Sequence, residues 1–153
     1  MHLESISSID DADWLRLRTA LWPHRSVAEH RADMAGLVVR PAQSVQFLAR
    51  VPGEQAVGLA EASIRSEYVN GTRSSPVAFL EGLYVAPAAR GQGVARRLVE
   101  AVAQWAAGCD CVELASDARL ENTLGQAAHL GLGFKETERV VCFSMALPPR
   151  PGA

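Results

Sequence analysis

Apolar and polar residues alternate along this chain with two different periods, and the period changes at turn-forming residues. His2 to Ile6 reads as a short strand. From Asp10 to Leu21 the apolar residues Trp14, Leu15, Leu17 and Leu21 and an acidic first turn predict a helix, which Pro23 interrupts. A second helix is predicted from Ser26 to about Val39, ending before Pro41. Ser44 to Arg50 alternates and runs into a Pro52-Gly53 turn; Ala56 to Glu67 alternates and leads to Asn70-Gly71. Val77 to Val85 reads as the central strand. Val94, Leu98, Val99, Val102, Trp105 and Ala106 recur at helical spacing and predict a helix over Val94 to Ala107. Cys111 to Ala115 reads as a strand. Glu121 to Leu130 reads as a helix stopped by Gly131-Leu132-Gly133. Phe134 to Leu147 is strand-like, and Pro148 to Ala153 reads as a loose tail.

Composition narrows the class without choosing a function. The chain of 153 residues, 48% hydrophobic and 21% charged, suits one globular domain over residues 1–147. No apolar run is long enough to cross a bilayer, so no membrane partner is expected. The acidic residues Glu4, Asp10, Asp11 and Asp13 do not suit a signal peptide. A formal net charge of −2 argues against a nucleic-acid partner. Three cysteines, an odd number without an export signal, suggest reduced thiols in the cytoplasm. Cys109-Asp110-Cys111 lacks the spacing of a zinc knuckle, so no metal is expected; these cysteines read as small apolar residues entering a strand.

Chemistry enters at Arg90-Gly91-Gln92-Gly93-Val94-Ala95, between an apolar strand and an amphipathic helix. Glycines allow a sharp turn and a close ligand approach. The free N–H groups opening the following helix can hold an anion, and Arg90 adds a donor at the same end. A cofactor carrying a pyrophosphate fits this arrangement. No Gly-Lys-Ser or Gly-Lys-Thr follows and a third glycine is missing, so neither the Walker nor the dinucleotide pattern applies. Taken alone, the spacing fits a plain strand-to-helix turn equally well. Glu81 lies in an otherwise apolar strand, where a charge needs either a partner or a cleft. Asp117 ends the next strand at the carboxyl edge, where open sheets bind ligands, or else caps the helix near Glu121.

The loop resembles the R-x-x-G-x-G/A acetyl-CoA loop of the GNAT acetyltransferase superfamily, with Ala95 at the last position. The order of elements is similar over nearly the whole chain. The resemblance implies an α+β fold whose mixed, mostly antiparallel central sheet is splayed between strands 4 and 5 and flanked by helices. The segments Leu21-Trp22-Pro23, Tyr68-Val69-Asn70-Gly71, Ser74-Ser75-Pro76, Phe79-Leu80-Glu81-Gly82, Ala115-Ser116-Asp117, Gly133-Phe134 and Glu136 to Val140 resemble the bacterial aminoglycoside 6'-N-acetyltransferases. That likeness implies direct transfer of an acetyl group from acetyl-CoA to the 6'-amine of an aminoglycoside, conferring resistance, in a homodimer.

By the same resemblance, Trp22, His24, Tyr68, Glu81, Asp117 and Glu138 contact the substrate, with Asp117 or Glu81 receiving the amine proton. Leu83, Tyr84 and Val85 offer backbone groups to pantetheine, Arg90 to Ala95 (with Gly91, Gln92, Gly93 and Val94) hold the pyrophosphate, and Asn122 bonds the pantetheine arm. Residue by residue, plainer structural roles remain open: Trp22 as a core anchor, Tyr68 as packing, Glu138 on a solvated face, and Asn122 as a helix-terminal polar group. The chain departs from the family in two places. His24 and Arg25 stand near the position of a family histidine without a clean match. His129 occupies the position where many members carry a tyrosine that protonates the leaving thiolate. Two alternatives share the fold: an acetyltransferase for another amine, and a CoA-binding sensor without catalysis.

Overall fold

The computed structural model describes residues 1–152; Ala153, the end of the expected tail, lies outside them. Five strands form one sheet in the order β1 (His2–Ser5), β2 (Ser44–Arg50), β3 (Ala56–Arg65), β4 (Val77–Val85) and β5 (Leu114–Ala115). The first four pair antiparallel and β5 joins β4 in parallel. Four helices complete the fold: α1 (Ala12–Leu21), α2 (Val27–Val38), α3 (Val94–Gly108) and α4 (Thr123–Gly131).

Local chemistry sets the helix starts. The Asp11 side chain accepts from the N–H groups of Asp13 and Trp14 and caps α1. Ser26 and Glu29 form a reciprocal capping box at α2. Strand alternation then distributes the apolar residues to two faces. Val45, Ala49, Ala60, Ala62 and Leu80 pack against Val94, Leu98, Val99 and Val102 of α3. On the other face, Leu48 and Leu59 meet Trp14 and Leu17 of α1 and Met34 of α2, all with no more than 1% exposure. Each such side chain contributes roughly 1.5–3 kcal/mol by leaving water.

Two irregularities shape the sheet for function. Glu61 pairs with Gly82 and Ala62 with Leu80, so Glu81 is an extra, unpaired residue that bulges β4. The β4–β5 ladder holds only Ala78↔Leu114 and Phe79↔Ala115. Beyond it the strands part, where a splay is expected, and among the described residues the edge of β4 from Leu80 to Val85 has no strand partner.

The expected strand over Phe134 to Leu147 does not form; this stretch carries no ladder. Val141, Phe143, Met145 and Leu147 are 77%, 91%, 85% and 80% exposed. An apolar alternation becomes a strand only when another backbone satisfies its N–H and C=O groups, and among the described residues none stands beside it. The strand expected from Cys111 is also shorter. Cys111 itself is buried against Ala78 and Ala106 in the turn before β5, as a small apolar residue.

Candidate active site

The gap between β4 and β5 opens into a cleft of about 1370 Å³. Tyr68, Asp117 and Glu138 line it, together with His129 and Arg65. Three expected substrate residues from distant parts of the chain therefore meet on one surface. Glu138 arrives because the stretch after α4 crosses Gly71, where any side chain would collide with Thr137. Asp117 makes no hydrogen bond or ion pair among the described residues, and the cap of α4 comes from Asn122 instead. Glu138 is likewise unpaired among the described residues, because Arg139 bonds Glu136.

Glu81 is not part of that lining. Its carboxylate is ion-paired with Arg65, whose Nη2 lies 2.8 Å from both oxygens, and it accepts from Ser63 Oγ at 2.6 Å. A partnered carboxylate was one of the two sequence readings, and the pairing sits on a partly exposed face rather than inside the core.

Trp22 stands on the other side of Glu81. A Cβ at Gly82 would meet Trp22 Cη2 at 2.7 Å, so the indole covers the bulge directly. A buried polar frame holds it there. Arg18 Nη1 donates to both Glu61 oxygens at 2.7 and 2.6 Å, and Trp14 Nε1 donates to Glu61 Oε1 at 2.7 Å. The Arg18 guanidinium lies 4.8 Å from the Trp22 ring centre. His30 Nε2 lies 3.1 Å from the Trp22 carbonyl, which can only accept, so this nitrogen carries the hydrogen. Its other nitrogen accepts from Arg18 Nε at 3.4 Å. Burial pushes the Glu61 carboxyl up, against the opposing pull of Arg18 and Trp14. Sequence reading missed this frame. Glu61 sits in Leu59-Ala60-Glu61-Ala62, and the argument applied to Glu81 would have found it.

His24 is exposed on the α1–α2 turn and lies outside the cleft lining. The neighbouring Arg25 is ion-paired with Asp33 at 2.8 Å and Glu29 at 3.5 Å.

The residues expected at the cofactor are arranged for an anion. Gly91 and Gly93 have φ of 76° and 80°, the left-handed region that glycine enters without strain. Gly93 caps α3 with no side chain, and the first helical bond is Arg97 N–H to the Gly93 carbonyl at 3.1 Å. The N–H groups of Val94, Ala95 and Arg96 precede it and point out of the helix end. Arg90 donates from Nε to the Val85 carbonyl at 2.9 Å, fixing the loop to the end of β4. Gln92 Nε2 reaches the Ala88 carbonyl at 3.3 Å. Leu83, Tyr84 and Val85 lie on the open edge of β4. These groups fit a pyrophosphate with an extended arm running along β4. Asn122 has a structural duty first: its Oδ1 accepts from Gly125 N at 2.9 Å.

The sequence profile described as the Acetyltransferase (GNAT) family matches residues 4–134. The chain is 50% identical, over 94% of its length and 97% of the relative's, to a protein of Acinetobacter genomosp. 13 named aminoglycoside N(6')-acetyltransferase type 1. It superposes on the apo crystal structure of the aminoglycoside 6'-N-acetyltransferase AAC(6')-IG from Acinetobacter haemolyticus with a TM-score of 0.91 and 46% identity, covering 97% of this chain and 100% of that one. It also superposes on AAC(6')-Iy in complex with a bisubstrate analogue, CoA-S-monomethyl-acetylneamine, with a TM-score of 0.86 and 40% identity over 96% and 100% of the two chains. Parted strands, an uncapped helix behind a glycine loop, and these likenesses agree: the chain belongs to the GNAT acetyltransferase family.

Proposed function

We propose that this protein is an aminoglycoside 6'-N-acetyltransferase that confers antibiotic resistance by acetylating the drug with acetyl-CoA. The observation that carries this reading is the meeting of two unpaired carboxylates, Asp117 and Glu138, with Tyr68 in one cleft beside the open edge of β4. A polycationic amino sugar is the complement of such a surface. The relatives named above support the choice of substrate.

Acetyl-CoA supplies the acetyl group as a thioester, and the residues of this chain do the rest. Asp117 orients the ammonium and takes its proton, directly or through water, because an alkyl ammonium with a pKa near ~10 is mostly protonated at neutral pH. Glu81 is the second candidate for that task, and Trp22, His24, Tyr68 and Glu138 complete the substrate surface. Backbone N–H groups on the open edge of β4, from Leu83 to Val85, stabilise the charge that develops on the acetyl oxygen. Arg90 to Ala95 hold the pyrophosphate at the start of α3, and the Asn122 amide nitrogen serves the arm.

The working form is a cytoplasmic homodimer. Three free thiols suit a reducing compartment. No helix among the described residues is long and apolar enough to cross a membrane. Leu124, Leu130, Val141 and Phe143 lie exposed on α4 and on the stretch after it, apolar surface available to a second copy.

A thiol-release assay with acetyl-CoA and two related drugs, one with a 6'-amine and one with a 6'-hydroxyl, tests the activity. Turnover of the amine alone is the expected result. Turnover of both moves the chemistry to another amine, and turnover of neither removes the proposal.

A further inference from the structure

The expected substrate residues fall into two groups in space. Trp22 covers the β4 bulge at Gly82, beside Glu81, while Tyr68, Asp117 and Glu138 line the cleft. One side chain touches both groups. Arg65, the last residue of β3, lines the cleft and is bonded to Glu81. Its guanidinium carbon lies over Phe79, 3.6 Å from the ring centre, and Phe79 is only 5% exposed. Stacking on a buried ring fixes a side chain that would otherwise be mobile.

The bonding to Glu81 is asymmetric. Oε1 accepts from Arg65 Nε at 3.1 Å, Arg65 Nη2 at 2.8 Å and Ser63 Oγ at 2.6 Å. Oε2 accepts only from Arg65 Nη2, at 2.8 Å. One oxygen is saturated and the other keeps lone-pair capacity. Glu81 needs this support, because it is the unpaired residue of the bulge and its strand gives it no ladder neighbour.

We infer that Arg65 is a positioning residue for substrate binding: held on Phe79, it engages Glu81 Oε1 so that Oε2, next to the cleft-lining Arg65 but outside the lining itself, keeps the capacity to accept from a substrate ammonium or hydroxyl. This rests on the aminoglycoside reading. It adds a specific dependence, in which Arg65 acts on the amino sugar only through Glu81 and has no part in binding acetyl-CoA.

A double-mutant cycle tests the inference, with kanamycin as the amine and steady-state kinetics for the wild type, R65Q, R65K, E81Q and R65Q/E81Q. The expected result is a rise of about 10-fold in the kanamycin KM of R65Q, the size of one lost charge-assisted bond. The acetyl-CoA KM stays within about twofold. R65K, which keeps the charge but has neither the planar group over Phe79 nor the second donor nitrogen, recovers only a small part of the loss. The double variant is no worse than E81Q alone within about twofold. An unchanged or lower kanamycin KM in R65Q overturns the inference, as does a full additional loss on top of E81Q. Wild-type turnover with either of those results sinks this inference alone, whereas wild-type inactivity on kanamycin removes the aminoglycoside reading together with it. The Arg65 side chain is 42% exposed, and a Tm of R65Q close to that of the wild type separates the kinetic effect from a loss of fold.

Discussion

Ser116 Oγ lies 2.8 Å from His129 Nε2 at the point where β4 and β5 part. His129 Nδ1 lies 2.6 Å from the Gly125 carbonyl, which can only accept, so Nδ1 carries a hydrogen. Ser116 Oγ is also 3.3 Å from the Leu80 carbonyl on β4. The next rung of the β4–β5 ladder would join Leu80 and Ser116; a serine hydroxyl stands there instead and ties α4 across the gap through His129. The imidazole therefore sits in the cleft wall with a fixed orientation.

Because Nδ1–H is held by the Gly125 carbonyl, a proton for the departing thiolate has to leave from Nε2, beside Ser116; from that nitrogen His129 is a candidate for the task a tyrosine performs at this position in many relatives of the fold. His129→Ala should lower kcat about 100-fold, the low end of what a positioned proton transfer contributes. The KM for the aminoglycoside should change by less than about twofold. Steady-state kinetics with each substrate varied in turn check both; a normal kcat assigns His129 to packing against Phe134, whose ring centre is 5.3 Å away.

Gly82 is required by what lies above it. A Cβ there would stand 2.7 Å from Trp22 Cη2 and 2.8 Å from Leu21 Cδ2. The indole cannot retreat freely, because the Arg18 guanidinium lies against its ring and His30 holds the Trp22 backbone carbonyl. Gly82→Ala should cost about 1–3 kcal/mol by overpacking, visible as a fall of several degrees in Tm and a changed tryptophan emission. The aminoglycoside KM should rise while the acetyl-CoA KM stays near its wild-type value. An unshifted Tm and emission would mean that Trp22 is not clamped.

Most of the fold was legible because most of it is local. Ser44–Arg50 and Val77–Val85 form strands with the expected bounds, and the caps at Asp11 and Ser26 fix α1 and α2 within two residues of the expected starts. Tyr68, Asp117 and Glu138 were singled out through the family resemblance, and all three line the cleft. Arg65 was missed because its role depends on cross-strand register, which places it within reach of Glu81 over Phe79. The frame of Arg18, His30 and Glu61 was missed because helical spacing read α1 as an apolar stripe with polar residues outside it. The strand over Phe134 to Leu147 failed for a further reason: alternation describes one half of a ladder and says nothing about where the other half is.

Asp13 gives the fold a dependence on acid. Its carboxylate accepts from Ala56 N at 2.9 Å and Arg16 Nη2 at 2.6 Å, and also from Arg50. Burial raises its pKa, but the Ala56 N–H and the two arginines outweigh that and hold it below the ordinary aspartate value. A carboxylate depressed in the folded state stabilises above its unfolded pKa of about 3.9 and loses that contribution as pH falls through the folded value. Asp13→Asn should therefore lower Tm by about 5 °C near pH ~7, and the gap to wild type should narrow progressively as pH falls below the ordinary aspartate value. Melts across that range check it; a gap that persists in acid would assign the loss to packing.

The stretch after α4 gives the sharpest prediction about assembly. Val141, Phe143, Met145 and Leu147 are more than three-quarters exposed, and α4 itself has no buried residue. Meanwhile β5 pairs only two residues with β4, which leaves little of the sheet's edge covered on that side. An unpaired apolar segment and a short edge strand in one chain are complementary needs, which the proposed homodimer would meet at once. Phe143, at 91% exposure, contributes nothing to the monomer's core, so Phe143→Glu should leave Tm at high dilution close to wild type. It should instead shift the protein from dimer to monomer in sedimentation velocity at micromolar concentration. Glu138 lies five residues before Phe143 on the same stretch and lines the cleft, so loss of the dimer should also raise the aminoglycoside KM. A Phe143→Glu variant that still sediments with the wild type would mean that this surface does not join two copies.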